Sequence, residues 1–385
     1  MVQTDKKVTR GTVWQVDPKS LRVQSWYDQW IVDSGVPVYQ GNHVDDLRTM
    51  ELGPWEEREC NAAFLQLDGQ KGIVDLRVTE IPPGATLPPT KMLLDEKVYV
   101  LAGQGLCSVW AEGMPPRTFE WQPHSLFFIP PNHTYQLSNT RGDQPARLIH
   151  SNRLDVAASI ISNPDVFFNN PVVDLSILYG DDDPFSEAKV RTSAEMGAEQ
   201  WRQFVWSGNF FPDVTAWDKI EPYRQRGAGG HVVMFGARYG GPQGTRATMS
   251  IFPGRRYKKA HRHGPGFIIV IPKGEGYTVM WKPGSDEVMY CPWHEGSLVI
   301  PPNGWLHQHF NLGADQARYL KISGHLPVTT SMAQGGTIEY SDEDPWIREK
   351  FQDELAQRGL TSEMPEECYL DHDYQWPYGE DMGGD

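Results

Sequence analysis

A chain of 385 residues with 39% hydrophobic and 22% charged side chains is long enough for two domains with buried cores and too apolar to be a disordered polymer. Its net charge of −15 argues against a nucleic-acid surface, which needs clustered Lys and Arg to neutralise phosphates. No apolar run approaches the length of a membrane span, and "MVQTDKKVTR" lacks the apolar core of a secretory signal, so a cytoplasmic protein without a membrane partner is expected.

The first predicted element is a short amphipathic helix in "SLRVQSWYDQWIVDSG", with Ser20 as cap, Val23, Trp26, Trp30 and Ile31 as the apolar side and Gly35 as stop. Two β-rich stretches punctuated by Gly and Pro follow, separated by an Asp-rich connection in which "SEAKVRTSAEMGAEQWRQFVW" predicts a third helix. Near the end, "DPWIREKFQDELAQRG" predicts a helix capped by Asp344 with Pro345 at its first position; Ile347, Phe351 and Leu355 form its apolar stripe, and Gly359 ends it. The last residues, "YGEDMGGD", read as a loose acidic tail. Cys60, Cys107, Cys291 and Cys368 form no CxxC pair and are expected to be free thiols.

The two β-rich stretches repeat one another. Pro82 to Trp110 parallels Phe252 to Trp281, each passing from Pro-Gly through Gly-x-Gly to a Trp. "HSLFFIPPNHTYQLSN" parallels "GSLVIPPNGWLHQHFN", with Ser125 to Tyr135 as long as Ser297 to His307. Self-similarity at this separation implies a duplicated domain, here two related antiparallel barrels.

In the second copy, "KKAHRHGPGFIIV" places His261 and His263 on one face if the strand is regular, the beginning of a metal site. The chain here resembles the cupins. The second cupin motif is matched at each fixed position by Gly296, Pro302, Gly304, His307 and Asn311, and the first by His261, His263 and Gly274, with Gly254 one residue further out than the pattern. The resemblance implies an all-β bicupin: two tandem double-stranded β-helix barrels with short flanking helices. The expected division is an arm with a short helix (1–60), a degenerate, metal-free barrel (61–155), a linker (156–224), a metal-binding barrel (225–328) and a C-terminal helix with acidic tail (329–385).

One departure from the motif is decisive: Phe267 stands where cupins commonly carry a glutamate ligand. The ligand set that the resemblance implies is therefore His261, His263 and His307, a centre of neutral donors that favours an anionic, chelating substrate. In the first copy Glu96 keeps the carboxylate, but the histidine positions fall among Pro89, Thr90, Lys91 and Met92, and Tyr135 replaces His307. That copy is expected to be scaffold or dimer surface, with His124 and His133 in its loops. Alternation adds Tyr257 and Lys259 to the pocket beside His261, and Trp305 and His309 beside His307, the latter as a hydrogen-bond partner or a direct contact. Arg246, Arg255 and Arg256 lie near enough in sequence to pair with a substrate carboxylate, and Ile269 and Ile271 would make one wall apolar.

Among cupins, a three-histidine bicupin resembles the gentisate and salicylate dioxygenases. That implies Fe(II), with Mn, Ni or Zn as alternatives, acting with O₂ on a hydroxylated aromatic acid in aromatic catabolism, in a homo-oligomer. Two other readings stand beside it: a metal-dependent lyase, isomerase or decarboxylase in which Tyr257 or Lys259 moves protons, and a non-catalytic ligand-binding bicupin.

Overall fold

The structure, a computed structural model, describes residues 6–180, 183–192, 204–217, 221–239, 245–322 and 336–378. The first repeat supplies β1 (Asp75–Ile81), β2 (Thr90–Lys91), β3 (Glu96–Ala102), β4 (Gly105–Trp110), β5 (Arg117–Trp121), β6 (Leu126–Ile129), β7 (Thr134–Asn139) and β8 (Ala146–Asn152). The second supplies β9 (Arg246–Phe252), β10 (Ala260–His261), β11 (Ile269–Lys273), β12 (Gly276–Trp281), β13 (Glu287–Trp293), β14 (Leu298–Val299), β15 (Leu306–Asn311) and β16 (Ala317–Lys321).

Neighbouring strands run β1-β8-β3-β6 in one sheet and β2-β7-β4-β5 in the facing sheet; the second repeat gives β9-β16-β11-β14 and β10-β15-β12-β13. This 1-8-3-6 and 2-7-4-5 order is the double Greek key of a jelly roll, so the chain forms two tandem double-stranded β-helix barrels. The repeated Gly-x-Gly has a steric cause. Gly103 and Gly274 take φ of 89° and 108°, and a Cβ there would lie 2.5 and 2.6 Å from the Ala146 and Ala317 side chains of the adjacent strand.

Alternation along β3 turns Val98 and Val100 into the first barrel, while Tyr99 and Leu101 face out. The outward residues are apolar because the two large sheets pack on each other. Tyr99, Phe128 and Ile149 share one core with Phe235, Met249, Val270 and Leu320, each burial contributing about 1.5–3 kcal/mol. Segments outside the repeats cover sheet edges. Phe210–Phe211 pairs with β6, His43–Val44 with β14, and Lys7–Arg10 runs parallel to β13.

The first helix spans Trp26–Ser34 and is capped by Ser25, not Ser20. Asp28, three residues on, returns a bond to the Ser25 backbone, and this reciprocal box outcompetes Ser20, which closes a short 3-10 turn. The C-terminal helix, Pro345–Ala356, has Asp344 accepting from the Trp346 N–H, with Ile347, Phe351 and Leu355 buried. The helix expected in the connection is not formed at its described ends. Lys189–Thr192 and Phe204–Ser207 pair as antiparallel strands, in keeping with their β-branched and aromatic residues; residues 193–203 and the acidic tail beyond Tyr378 lie outside the described residues.

All four cysteines are buried free thiols. Burial pushes Cys60 up to about 11 and Cys291 and Cys368 up to about 12, so they stay protonated and unreactive. Among the described residues, no helix is long and apolar enough to cross a membrane.

Candidate metal centre

The site lies inside the second barrel, where β10 meets β15. His261 is directly opposite His307, and Tyr257 is opposite Phe310. Four steps on one strand therefore face three on the other: a β-bulge, which reverses the inward and outward sides before His261. Tyr257 and Lys259, assigned to the pocket by regular alternation, are consequently corrected. Tyr257 stacks on Phe310 at 4.8 Å and its hydroxyl donates to Glu343; Lys259 pairs with Glu339. Lys258 takes the inward side instead. It is fully buried, donates to the Ser250 hydroxyl and lies 4.9–5.1 Å from the ring centroids of Tyr223, Phe252 and Tyr319.

Four imidazoles line the cavity. His307 is central, with ring centroids 4.2 Å from His261, 4.5 Å from His263 and 5.5 Å from His309. His261, His307 and His309 each offer a ring nitrogen within 4.8 Å of the others, a cluster that can hold a metal ion. Backbone carbonyls set the tautomers: the Nδ1–H of His261 donates to Lys259 O (3.1 Å), that of His263 to Gly264 O (2.9 Å) and that of His307 to Trp305 O (3.2 Å). A carbonyl only accepts, so each of these Nε2 atoms carries a lone pair. His309 Nδ1 meets the Thr278 hydroxyl at 2.8 Å, which also accepts from Trp293 Nε1 at 3.1 Å.

Burial first, then neighbouring histidines and Arg226, hold His261 and His309 well below the ordinary imidazole range; burial and His307 lower His263, and His307 falls to about 3. Neutral imidazoles are the form that binds a metal. The buried Nε2 of His307 has no hydrogen-bond partner, a cost that a metal ion would remove. The residues thus fit a transition metal held by nitrogen donors.

The cavity has a volume of about 40 Å³, and its described lining contains Arg226 and Lys321 but no Asp or Glu. Burial, then Arg226, lowers Lys321 to about 7. Phe267 lines the cavity and stacks on His263 at 3.7 Å, with Lys321 Nζ 4.5 Å from its ring centroid. Phe267→Glu should therefore put an anionic donor beside the imidazoles and tighten metal binding about tenfold or more in chelator competition, while impairing turnover; unchanged affinity would mean that residue 267 does not reach the metal.

Other candidates are placed elsewhere. Trp305 contributes its carbonyl to His307 while its ring packs at the edge of the core. Arg246, at the start of β9, is outside the cavity lining. Arg255 pairs with Glu363, and Arg256 lies 5.5 Å from the Trp376 ring centroid. Ile269 lines the cavity and Ile271 packs in the core below it. Sequence reasoning missed Lys258, Lys321, Arg226 and Tyr223. Lys321 arrives only through pairing with Ile269 and Thr248, and no local motif announces that register.

The corresponding place in the first barrel has different chemistry. Tyr135 pairs with Thr90 as His307 pairs with His261. Glu96 is tied to Arg77, to Asn152 Nδ2 at 3.1 Å and to the Tyr135 hydroxyl at 2.5 Å, and Arg77 also pairs with Asp75. His124 meets the Tyr99 hydroxyl at 2.8 Å, and His133 Nδ1 donates to Pro131 O at 2.9 Å.

No protein-family model matches the chain, and no curated protein matches it. Similar solved structures include oxalate decarboxylase from Lactobacillus farciminis in a formate complex, at 10% identity and a TM-score of 0.47, covering 80% of this chain and 92% of that one. Another, at 10% identity and a TM-score of 0.46, covering 84% of this chain and 87% of that one, is an oxalate decarboxylase from Bacillus subtilis studied for its Mn(II) centres. A third, described for the substrate binding mode and a reaction specificity switch in oxalate decarboxylase, has 11% identity, a TM-score of 0.46 and coverage of 84% and 87%. The oxalate and manganese in these names belong to those proteins. The expected dioxygenase does not stand: the similar structures carry the name oxalate decarboxylase, not dioxygenase. A hydroxylated aromatic acid is also too large for this cavity: about 40 Å³ is well below the ~150 Å³ that accommodates benzene.

Proposed function

We propose that the second barrel is a metal-dependent lyase site that decarboxylates a small carboxylate. The observation that carries this reading is the cationic lining of a cavity of about 40 Å³, in which the described residues set Lys321 and Arg226 beside four neutral imidazoles and include no carboxylate. Such a lining favours an anion and leaves room for a short one. His261 and His307 are the proposed core ligands, with His263 and His309 flanking them, and these donors suit iron, nickel or zinc.

When bound, the metal would supply Lewis-acid polarisation of substrate oxygens. Arg226 and protonated Lys321 orient the carboxylate by charge. As the bond to the carboxylate carbon breaks, CO₂ leaves and the electron pair passes to an adjacent carbonyl in the substrate. Lys321 Nζ then delivers a proton to the carbon that had carried the carboxylate, the electron pair returning from the carbonyl oxygen to form the new C–H bond, and the amine recovers a proton from water. Tyr223 and Tyr319 line the same space, and with Phe267 they limit water access.

The sign of the pH dependence follows from Lys321, whose ammonium form predominates below about 7. Carboxylate binding should weaken as pH rises through 7. Lys321→Met should remove that step and lower kcat/KM about 10²-fold or more. The test is anaerobic reconstitution with single metals and a CO₂-release screen over short oxo- and dicarboxylates, repeated under ¹⁸O₂. Unlabelled product and a pH step absent from Lys321→Met are expected. Label in the product, or full activity without metal, would overturn the reading.

A further inference from the structure

We infer that the first barrel binds a planar aromatic carboxylate in a cavity that needs no metal. This goes beyond the proposed function and concerns the other barrel. By strand register, Thr90 stands in place of His261, Tyr135 in place of His307 and Leu137 in place of His309. The exchange leaves a cavity of about 570 Å³, against about 40 Å³ in the second barrel. That volume is in the range of small-molecule sites, roughly 300–1,000 Å³.

The lining indicates what the cavity takes. Trp26, Trp30, Trp55 and Phe168 surround it, with Trp30 and Trp55 edge-to-face at 5.7 Å and Trp26 and Phe168 at 5.8 Å. Aromatic walls favour a flat ring, which gains offset or edge contacts with them. Two buried polar atoms in the lining lack partners: Trp55 Nε1 and Thr90 Oγ1. Trp55 is only 4% exposed, and an indole N–H can only donate, so its missing partner is an acceptor.

The charged lining divides by depth: Asp33 and Glu57 are exposed, whereas Arg58 and Lys91 are half-buried, so the acceptor that fits beside them inside the cavity is anionic. Arg58 donates to the carbonyls of Pro88 (3.2 Å) and Pro89 (3.4 Å), and Lys91 to that of Asn170 (2.8 Å). Both line the cavity, and among the described residues no carboxylate pairs with either. Deeper in, Arg77 is already matched by Asp75 and Glu96, while His150 Nε2 meets Thr79 Oγ1 at 2.9 Å. The floor is therefore closed, and the carboxylate belongs at the Arg58, Lys91 and Trp55 wall, where a guanidinium can hold it bidentately.

Titration of the full-length protein with 2-naphthoate by calorimetry tests this. Saturable binding of one molecule per chain is expected, at least tenfold tighter than neutral 2-naphthol. Arg58→Gln and Trp55→Phe should each weaken it about fivefold or more, while His307→Ala should leave it unchanged. Arg58 is only partly buried, so its replacement tests the site even where Trp55→Phe fails to fold. Absence of saturable binding, equal affinity for 2-naphthol, or loss in His307→Ala with retention in Arg58→Gln would overturn the inference. Because His307 belongs only to the second barrel, failure here is distinguishable from failure of the lyase reading.

Discussion

His307→Ala is expected to strip the protein of metal and abolish metal-dependent turnover. Elemental analysis should find about one transition metal per wild-type chain and background levels in this variant. The residue is central in a literal sense: its ring is nearest to His261 and His263 and also contacts the space of His309. Removing it breaks any three-imidazole set that contains it, and a two-ligand remnant does not hold a metal against a chelator. The fold should persist, since the substitution deletes a neutral ring whose Nε2 has no partner; an unchanged far-UV dichroism spectrum would show this. His261→Ala should behave alike. Comparing His263→Ala with His309→Ala then identifies which flanking imidazole completes the set. Two tightly bound metals per wild-type chain would sink the assignment, because the first barrel offers Thr90, Met92 and Tyr135 at the corresponding places.

Arg77→Met should be the most damaging substitution for stability. Arg77 lies between buried Asp75 and Glu96 and pairs with both. Taking away one partner of a buried ion pair leaves uncompensated charge, at a cost of about 3–5 kcal/mol. The pH dependence should reverse as well. In the wild type, burial pushes Glu96 up, but Arg77 outweighs it and holds the carboxyl below its usual range. That contribution is present above the ordinary glutamate value and is lost as pH falls through the depressed one. Without Arg77, burial dominates, Glu96 takes up a proton, and the variant should gain stability on acidification from pH 8 to 5. Urea unfolding at the two pH values measures both effects; a loss under about 1 kcal/mol at pH 8 would show that the pair is not what holds this barrel's interior together.

The repeat was legible because its signals are local. Gly103 and Gly274 are required by the close approach of Ala146 and Ala317, and the continuously apolar strands follow from two-sided burial. The clustered histidines were legible for a related reason: His261 and His263 share a short motif, and His307 lies at a fixed distance from Gly296. The pocket beyond them was not. Regular alternation put Tyr257 and Lys259 inside, and a single bulge put Lys258 there instead. The helix cap was misplaced by five residues because Ser20 and Ser25 differ only in whether an acid three positions on closes the box.

The sequence by itself determined that this protein is a duplicated all-β chain, that one copy carries clustered imidazoles and the other does not, and that Phe267 denies the centre a carboxylate. These properties depend on residue identity and short-range spacing, which alternation and steric exclusion translate directly into structure. Only the tertiary structure decided what surrounds the histidines. Lys321 reaches the cavity from one segment and Tyr223 and Arg226 from another, and its small volume depends on their packing; in the first barrel, register turns missing ligands into a space of about 570 Å³. Charge, volume and access are set by long-range contacts among strands distant in sequence, and no local pattern carries that information.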